Sequence, residues 1–195
     1  MNEVFALATD TAWGLACDAS SQSLVDKIYS LKGRAFSKPL ILFTYSTLNA
    51  KKLIQIPQEL DAWLDFHWPG DLTIVSKAID DTFKSCHKES PYLGVRVPNL
   101  TSTLKFLKQF NRPLAVTSYN LSEQANVSSK DQLKNVFPNF IPKVIGDMPT
   151  ITTESAVLKL DGKVLTVLRA SDTQAARFNK HLPQSFSIQF LSEQK

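Results

Sequence analysis

Cysteine and long apolar runs are both scarce in this sequence. Cys17 and Cys86 are the two cysteines among 195 residues, and they form neither the paired spacing of a zinc site nor a disulfide framework, which is typical of a reducing compartment. No apolar run approaches the ~18 residues that a membrane-spanning helix needs. The N-terminus also lacks the charged and then apolar regions of a signal peptide. We therefore predict a cytoplasmic protein with no membrane partner.

Glycine is also sparse, and its placement excludes two common phosphate-binding motifs. The six glycines form neither a G-x-x-x-x-G-K-[ST] loop nor a G-x-G-x-x-G turn, so side chains would have to hold any bound phosphate. The histidines His67, His87 and His181 have no partner four residues further on, as a zinc-binding helix requires. Ser118 lies outside a G-x-S-x-G elbow and has no adjacent base, which argues against a hydrolase.

The composition is that of a globular protein with an excess of positive charge. The length suits a single domain, and 43% hydrophobic with 21% charged residues is ordinary for a folded chain. The formal charge of +4 favours anionic partners, either nucleotides or RNA. The basic residues are scattered, and their densest small group is Lys32, Arg34 and Lys38.

Apolar periodicity predicts alternating strands and helices in one α/β domain with a mixed sheet. The predicted strands are 4–8, 39–44, 72–75, 93–97, 113–117, 155–160 and 164–168, and the predicted helices are 23–31, 57–66, 101–110 and 128–136. Asp161-Gly162 indicates a tight hairpin between the last two strands, because this pair tolerates positive φ angles. A further short helix around 173–179 and a strand at 185–191 are predicted near the C-terminus.

Two polar triplets are placed where predicted elements end. Lys32-Gly33-Arg34 closes the first helix, with Gly33 as its left-handed stop, and Ser118-Tyr119-Asn120 follows a buried strand. The cations of the first triplet, together with the hydroxyl and carboxamide of the second, suit a ligand that has several negative charges and a polar head group. The pair therefore predicts a nucleotide triphosphate site.

Seven segments of the chain, taken together, resemble the YrdC-like family of threonylcarbamoyl-adenylate synthases. The similarity covers about residues 4–170, and its segments are 8–15, 28–40, 68–73, 95–98, 117–122, 155–157 and 168–169. The resemblance implies a twisted sheet of mixed parallel and antiparallel strands, with flanking helices, around a basic concave cleft. It also implies a domain over residues 1–170, and we expect residues 171–195 to be a tail that packs on the same domain.

The activity that the resemblance implies is the condensation of L-threonine, bicarbonate or CO₂, and ATP into threonylcarbamoyl-adenylate and pyrophosphate. The product would pass to the tRNA threonylcarbamoyl-transferase machinery. Mg²⁺ would enter with the ATP phosphates, with no metal ligand assigned to the protein.

The resemblance also assigns site residues by position. Catalysis would fall to Lys32 and Arg34, which would hold the phosphates. The nucleotide would be positioned by Asn120, Ser128 and Arg169, and threonine would be held by Thr9, Arg96, Ser118 and Ser155. Arg96 suits the threonine carboxylate, because a guanidinium binds carboxylates through two parallel hydrogen bonds.

Two other functions remain open from the sequence. One is a non-catalytic module that binds tRNA or double-stranded RNA on the same fold; Tyr119 and Ala156, which depart from the family pattern, would favour it. Weak RNA binding is also compatible with the synthase. The other is the carbamoyl-transfer domain of hydrogenase-maturation proteins, although the chain lacks their zinc-finger cysteines.

Strand alternation predicts that Tyr119 points away from Ser118 and Asn120, into the core.

Overall fold

The computed structural model describes residues 2–33, 38–88, 90–122, 124–147 and 153–191. Of the residues predicted to form the site, Arg34 lies outside the described residues.

A mixed sheet organises the described part of the chain, as predicted. Its ten strands are β1 Phe5–Leu7, β2 Gly14–Asp18, β3 Ile41–Phe43, β4 Leu72–Lys77, β5 Tyr92–Arg96, β6 Leu114–Ser118, β7 Lys143–Ile145, β8 Ala156–Asp161, β9 Val164–Arg169 and β10 Ser187–Phe190. Their order across the sheet is β10-β9-β8-β4-β5-β3-β6-β2-β1-β7. The pairs β3 with β5 and β4 with β8 are parallel, whereas β2 with β6 and β8 with β9 are antiparallel.

Helices connect these strands. They are α1 Gln22–Lys32, α2 Thr47–Ala50, α3 Asp61–His67, α4 Lys84–His87, α5 Thr101–Phe110 and α6 Asp172–Ala175, with 3₁₀ turns at Gln58–Leu60 and Lys130–Asn135. The prediction of a helix over 128–136 was wrong in type, because this segment forms a 3₁₀ turn that Ser129 and Gln132 close with a capping box. Pro138 follows closely and disfavours α-helical continuation.

Apolar clusters lie on both faces of the sheet, so successive residues of an inner strand belong alternately to one cluster and to the other. Phe5 and Leu7 of β1 belong to the smaller cluster with Leu107 of α5, while Ala6 between them belongs to the larger one. Phe5 meets Phe106 of α5 edge to face, with ring centroids 5.7 Å apart. This alternation fixes the register of the strands, because a slip of one residue would exchange the faces.

The segment after β9 contacts the rest of the chain through α6, Phe178 and β10. β10 pairs in parallel with β9. Phe178 is buried, and its carbonyl accepts a 2.7 Å hydrogen bond from the indole of Trp63. The helix expected over 173–179 is limited to Asp172–Ala175, and the strand expected over 185–191 is Ser187–Phe190. Among the described helices, none is long and apolar enough to cross a membrane.

Candidate active site

An open cavity lies against one face of the sheet. Its apolar lining includes Ile41 and Phe43 of β3 and Val116 of β6. These side chains lie on the same face of the sheet, because Ile41 is paired with Val116 and Phe43 follows two residues after Ile41. Polar residues from the ends of other strands complete the lining. A ligand here would therefore meet both an apolar surface and converging polar groups, the usual combination of a small-molecule site.

Five of the residues predicted to form the site line this one cavity. They are Thr9, Arg96, Ser118, Ser155 and Arg169. They come from positions up to 160 residues apart in the chain, and the strand order brings them together. Ser128 is not among the lining residues; it is exposed, and its hydroxyl donates to Gln132 Oε1 at 3.1 Å. Gln132 lines a neighbouring pocket that also includes Asn120.

Thr9 builds the turn that leads from β1 to β2. Its hydroxyl donates to the carbonyl of Ala12 at 2.6 Å and accepts the amides of Thr11 and Ala12 at 3.1 Å each. Thr9 is almost fully buried. A hydroxyl that closes a turn in this way holds the backbone in one conformation. The turn places Thr11 beside Arg96.

Arg96 is buried at the end of β5 and is held by three oxygens. Its Nε donates to the carbonyl of Gly70 at 2.9 Å, one Nη to Thr11 Oγ1 at 2.9 Å, and the other Nη to Asp10 Oδ1 at 2.7 Å. The guanidinium carbon also lies 5.4 Å from the ring centroid of Phe43. Burial lowers the pKa of Arg96, and the Asp10 carboxylate opposes that change. The guanidinium has further N–H donors beyond these three contacts, and donors of this kind can bind a carboxylate.

Lys32 joins the two triplets that the sequence singled out. It is 2% exposed, and its ammonium donates to the carbonyls of Ser118 at 2.5 Å and Asn120 at 2.8 Å, and to Asn120 Oδ1 at 2.7 Å. Asn120 Oδ1 also accepts a 2.7 Å hydrogen bond from the Ser118 hydroxyl. Because Gly33 ends α1 with a φ of 57°, the helix stops with Lys32 against the end of β6. The ammonium thereby fixes the backbone that carries Ser118.

Ser155 and Arg169 are neighbours in the cavity lining. The Ser155 hydroxyl lies 3.2 Å from Thr73 Oγ1, and Arg169 Nε donates to the Ser155 carbonyl at 3.1 Å. Arg169 also donates to Glu154 Oε2 at 2.6 Å. Arg169 and Arg96, the two lining arginines, are thus each paired with a carboxylate. The basic character of the cleft stays a prediction.

Four polar residues of the lining are not among the site residues assigned from the sequence: Thr11, Thr117, Asn126 and Glu154. Glu154 precedes Ser155, and its position before a predicted strand next to a predicted site serine was a usable signal. Asn126 lies in a loop without regular structure and had no such signal. Its Oδ1 is buried with no hydrogen-bond partner among the described residues, which is costly unless a ligand or water satisfies it.

The mixed sheet and its helices define an α/β domain with an open cavity between strand ends. Residues 1–171 match the Sua5, YciO and YrdC family, which is described as telomere recombination, and the chain belongs to this family. Residues after 171 lie outside the match.

Named relatives share this domain. The chain is similar to the threonylcarbamoyl-AMP synthase of Rattus norvegicus, with 33% identity over 164 residues that cover 83% of this chain and 57% of the rat protein. It is similar to the threonylcarbamoyl-AMP synthase of Pseudoalteromonas translucida, with 29% identity over 83% of this chain and 89% of that protein. The fold is similar to that of P. abyssi Sua5 complexed with L-threonine, with a TM-score of 0.76 and 24% identity over 95% of this chain and 55% of that one. The chain thus spans a little over half the length of the rat and P. abyssi proteins.

Proposed function

We propose that the protein is a threonylcarbamoyl-AMP synthase, which forms threonylcarbamoyl-adenylate and pyrophosphate from L-threonine, bicarbonate or CO₂, and ATP. The convergence of Thr9, Arg96, Ser118, Ser155 and Arg169 on one cavity supports this proposal most directly. The names of the relatives support it as well. They favour the synthase over the RNA-binding alternative.

The proposed chemistry joins two anions. The threonine amine takes up CO₂ and loses a proton, which gives a carbamate. A carbamate oxygen then bonds to the α-phosphorus of ATP as the bond from that phosphorus to pyrophosphate breaks. Because negative charge accumulates at the phosphate, the site must supply fixed positive charge there. We assign this role to Lys32, Arg34 and Arg169, and we assign the threonine carboxylate to Arg96.

In this scheme Lys32 would both fix the backbone that carries Ser118 and bind a phosphate oxygen. Its ammonium lies beside Ser118 and Asn120 and is saturated by their oxygens. To reach a phosphate, it would exchange the contact with Asn120 Oδ1 for a phosphate oxygen. Asn120, released from Lys32, would then present its carboxamide to the nucleotide, and Ser128 would act through Gln132 at the neighbouring pocket.

Mg²⁺ belongs to the same proposal as an ion that ATP carries on its phosphate oxygens, the usual way in which Mg²⁺ enters such sites. Its charge would offset part of the repulsion between carbamate and phosphate. Among the described residues, no group of three or more His, Cys, Asp or Glu side chains is arranged to hold a metal ion.

The partners and location are proposed on the same basis. The adenylate would pass to the tRNA threonylcarbamoyl-transferase machinery in the cytoplasm. Any binding of tRNA or double-stranded RNA by this chain would be weak and sensitive to salt, because its basic residues are dispersed.

Pyrophosphate release from purified protein tests the activity. Release should require ATP, threonine and bicarbonate together. Arg96→Lys should raise the KM for threonine more than the KM for ATP, since an ammonium cannot reproduce the guanidinium fork. Arg112→Lys is the matched control, because Arg112 is half-exposed and pairs with Asp18 away from the cavity. Release without threonine, or a larger change in the KM for ATP, would contradict the assignment.

A further inference from the structure

Gln174 of α6 is a buried polar residue that hydrogen-bonds to Glu154, one of the residues that line the cavity. It is 6% exposed, and it lies outside the residues that match the family. Its side-chain amide donates hydrogen bonds to two separate segments of the chain, through the carboxylate of Asp71 and the carbonyl of Glu154. One carries Asp71, next to Gly70 whose carbonyl binds Arg96, and the other carries Glu154 and Ser155.

The side-chain amide of Gln174 is fully hydrogen-bonded. Its Nε2 donates to Asp71 Oδ2 at 2.7 Å and to the carbonyl of Glu154 at 3.0 Å, and its Oε1 accepts the amide of Ser171 at 2.9 Å. Two acceptors on one side and a donor on the other suit an amide and no other side chain of this length. A carboxylate at this position would face two oxygen atoms with no proton to donate.

These contacts bracket Ser155. The carbonyl before it, of Glu154, is held directly by Gln174, and the amide after it, of Ala156, donates to the carbonyl of Asp71 at 2.8 Å. The carboxylate of Asp71 is in turn bound by Gln174 and Arg177. Burial raises the pKa of Asp71, but the hydrogen bonds from Gln174 and Arg177 outweigh it and hold that pKa below its ordinary value.

We propose that Gln174 is a positioning residue that sets the place of Ser155 in the ligand cavity. The inference rests on the proposed function, in which Ser155 contacts threonine. It assigns a role in substrate binding to a segment beyond the family domain. Gln174 itself touches no ligand and acts through the backbone on either side of Ser155.

The variant Gln174→Glu tests this role with almost no change in size. It removes both donated hydrogen bonds and places a negative charge beside Asp71. The KM for threonine should rise about 10-fold or more, within the ~10²-fold loss that a ~1 Å misplacement of a positioned group can cause. The KM for ATP should change less. Gln189→Glu is the matched control, because Gln189 is exposed on β10 and its side chain donates a hydrogen bond to Thr166, away from the cavity.

A double variant separates positioning from stability. In Gln174→Glu with Asp71→Asn, the new carboxamide at 71 can donate to the new carboxylate at 174, so that link is restored with its polarity reversed. The carbonyl of Glu154 still faces a carboxylate. We expect the melting temperature to recover while the KM for threonine stays high. Recovery of both together would overturn the inference, because Gln174 would then act through stability alone.

Amide hydrogen exchange at Ala156 tests the inference without any assay of activity. Exchange should be faster in Gln174→Glu than in the wild type and in Gln189→Glu, because the segment around Ser155 is released. Equal exchange in all three proteins would overturn the inference. Absence of pyrophosphate release by the wild type would instead contradict the proposed function, and the exchange result would still decide the role of Gln174.

Discussion

At the scale of single residues, Glu154 occupies the guanidinium of Arg169 that we propose to bind the nucleotide. The two side chains form an ion pair at 2.6 Å, and each is nearly half exposed in the cavity lining. Exposed pairs of this kind contribute about 0–1 kcal/mol. A nucleotide phosphate at the proposed site would therefore displace Glu154 at small cost.

Replacing Glu154 should strengthen nucleotide binding. Glu154→Gln keeps the shape of the side chain but removes the charge, so the Kd for ATP should fall by roughly 2- to 5-fold, in line with a pair of this strength. Calorimetric titration measures the effect, and Glu59→Gln, an exposed change of the same charge in the 3₁₀ turn Gln58–Leu60, is the control. Weaker binding in Glu154→Gln would mean that this carboxylate assists the nucleotide.

Tyr119 lies in the core, on the side away from Ser118 and Asn120 that strand alternation predicted. It has no exposed surface, its hydroxyl donates to the carbonyl of Leu133 at 3.2 Å, and its ring centroid is 5.0 Å from that of Phe137. Tyr119→Ala should cost ~3–5 kcal/mol of unfolding free energy and leave the ATP affinity of the folded fraction unchanged. Tyr119→Phe, which loses only the hydroxyl, should cost about 1 kcal/mol. Denaturant unfolding with nucleotide titration checks both; altered affinity at unchanged stability would place the ring's role in the site.

At the scale of elements, predictions succeeded where the sequence pattern decides the structure locally. α5 has the predicted limits, because its apolar stripe and the left-handed Asn111 after it mark the helix in the sequence itself. β2 and β7 were not predicted. β2 contains five buried residues without alternation, and β7 has three residues that become a strand by pairing with β1. Such elements are set by their neighbours in the sheet.

The residues of the candidate site divide in the same way, into those that the sequence indicates and those that depend on long-range packing. The resemblance selected Arg96, Ser118 and Ser155, and the strand order brought them to one cavity. The role of Gln174 had no signal in the sequence, because its partners at Asp71 and Glu154 are 103 and 20 residues away. Long-range contacts of this kind depend on packing, which local patterns do not encode.

Two glycines have the same backbone conformation, and only one of them adjoins the candidate site. Replacing each by alanine therefore separates the loss of stability caused by backbone strain from a loss of activity caused by a change in the site. Gly33 ends α1 with φ at 57° and Gly162 lies in the β8–β9 hairpin with φ at 58°, and a methyl group at either would meet nothing within 4 Å. Either change to Ala should therefore cost roughly 1–2 kcal/mol through backbone strain alone. Only Gly33→Ala should also reduce the activity of the folded protein, because Lys32 precedes it. Thermal unfolding measures the loss of stability in each variant, and an activity assay measures the specific activity of the folded protein. Equal specific activity in the two variants would show that the end of α1 does not contribute to the site.

At the scale of the whole molecule, His67 links α3 to the C-terminal segment. Its ring lies 4.5 Å from that of Trp63 and 6.1 Å from that of Phe178, and its Nε2 is buried with no hydrogen-bond partner among the described residues. Burial lowers the pKa of His67 to about 4, with Arg177 and His181 acting in the same direction and Asp71 opposing them. The folded protein therefore keeps this imidazole neutral, whereas the unfolded chain takes up a proton near its ordinary pKa of 6.5.

This difference predicts a loss of stability in mild acid. Between pH 6.5 and about 4 the unfolded state binds the proton and the folded state does not, so the free energy of unfolding falls as the pH falls, by at most on the order of 3 kcal/mol. The contribution of Asp71 is lost separately, below its ordinary pKa of 3.8, because its pKa is lowered from there. His67→Phe fills the aromatic position without a titrating group and should flatten the dependence between pH 4 and 6.5. Denaturant unfolding across this range measures the slope, and an NMR titration of His67 measures its pKa. An imidazole that titrates near pH 6.5 in the folded protein, or a slope that persists in His67→Phe, would show that burial of His67 does not govern the response to acid.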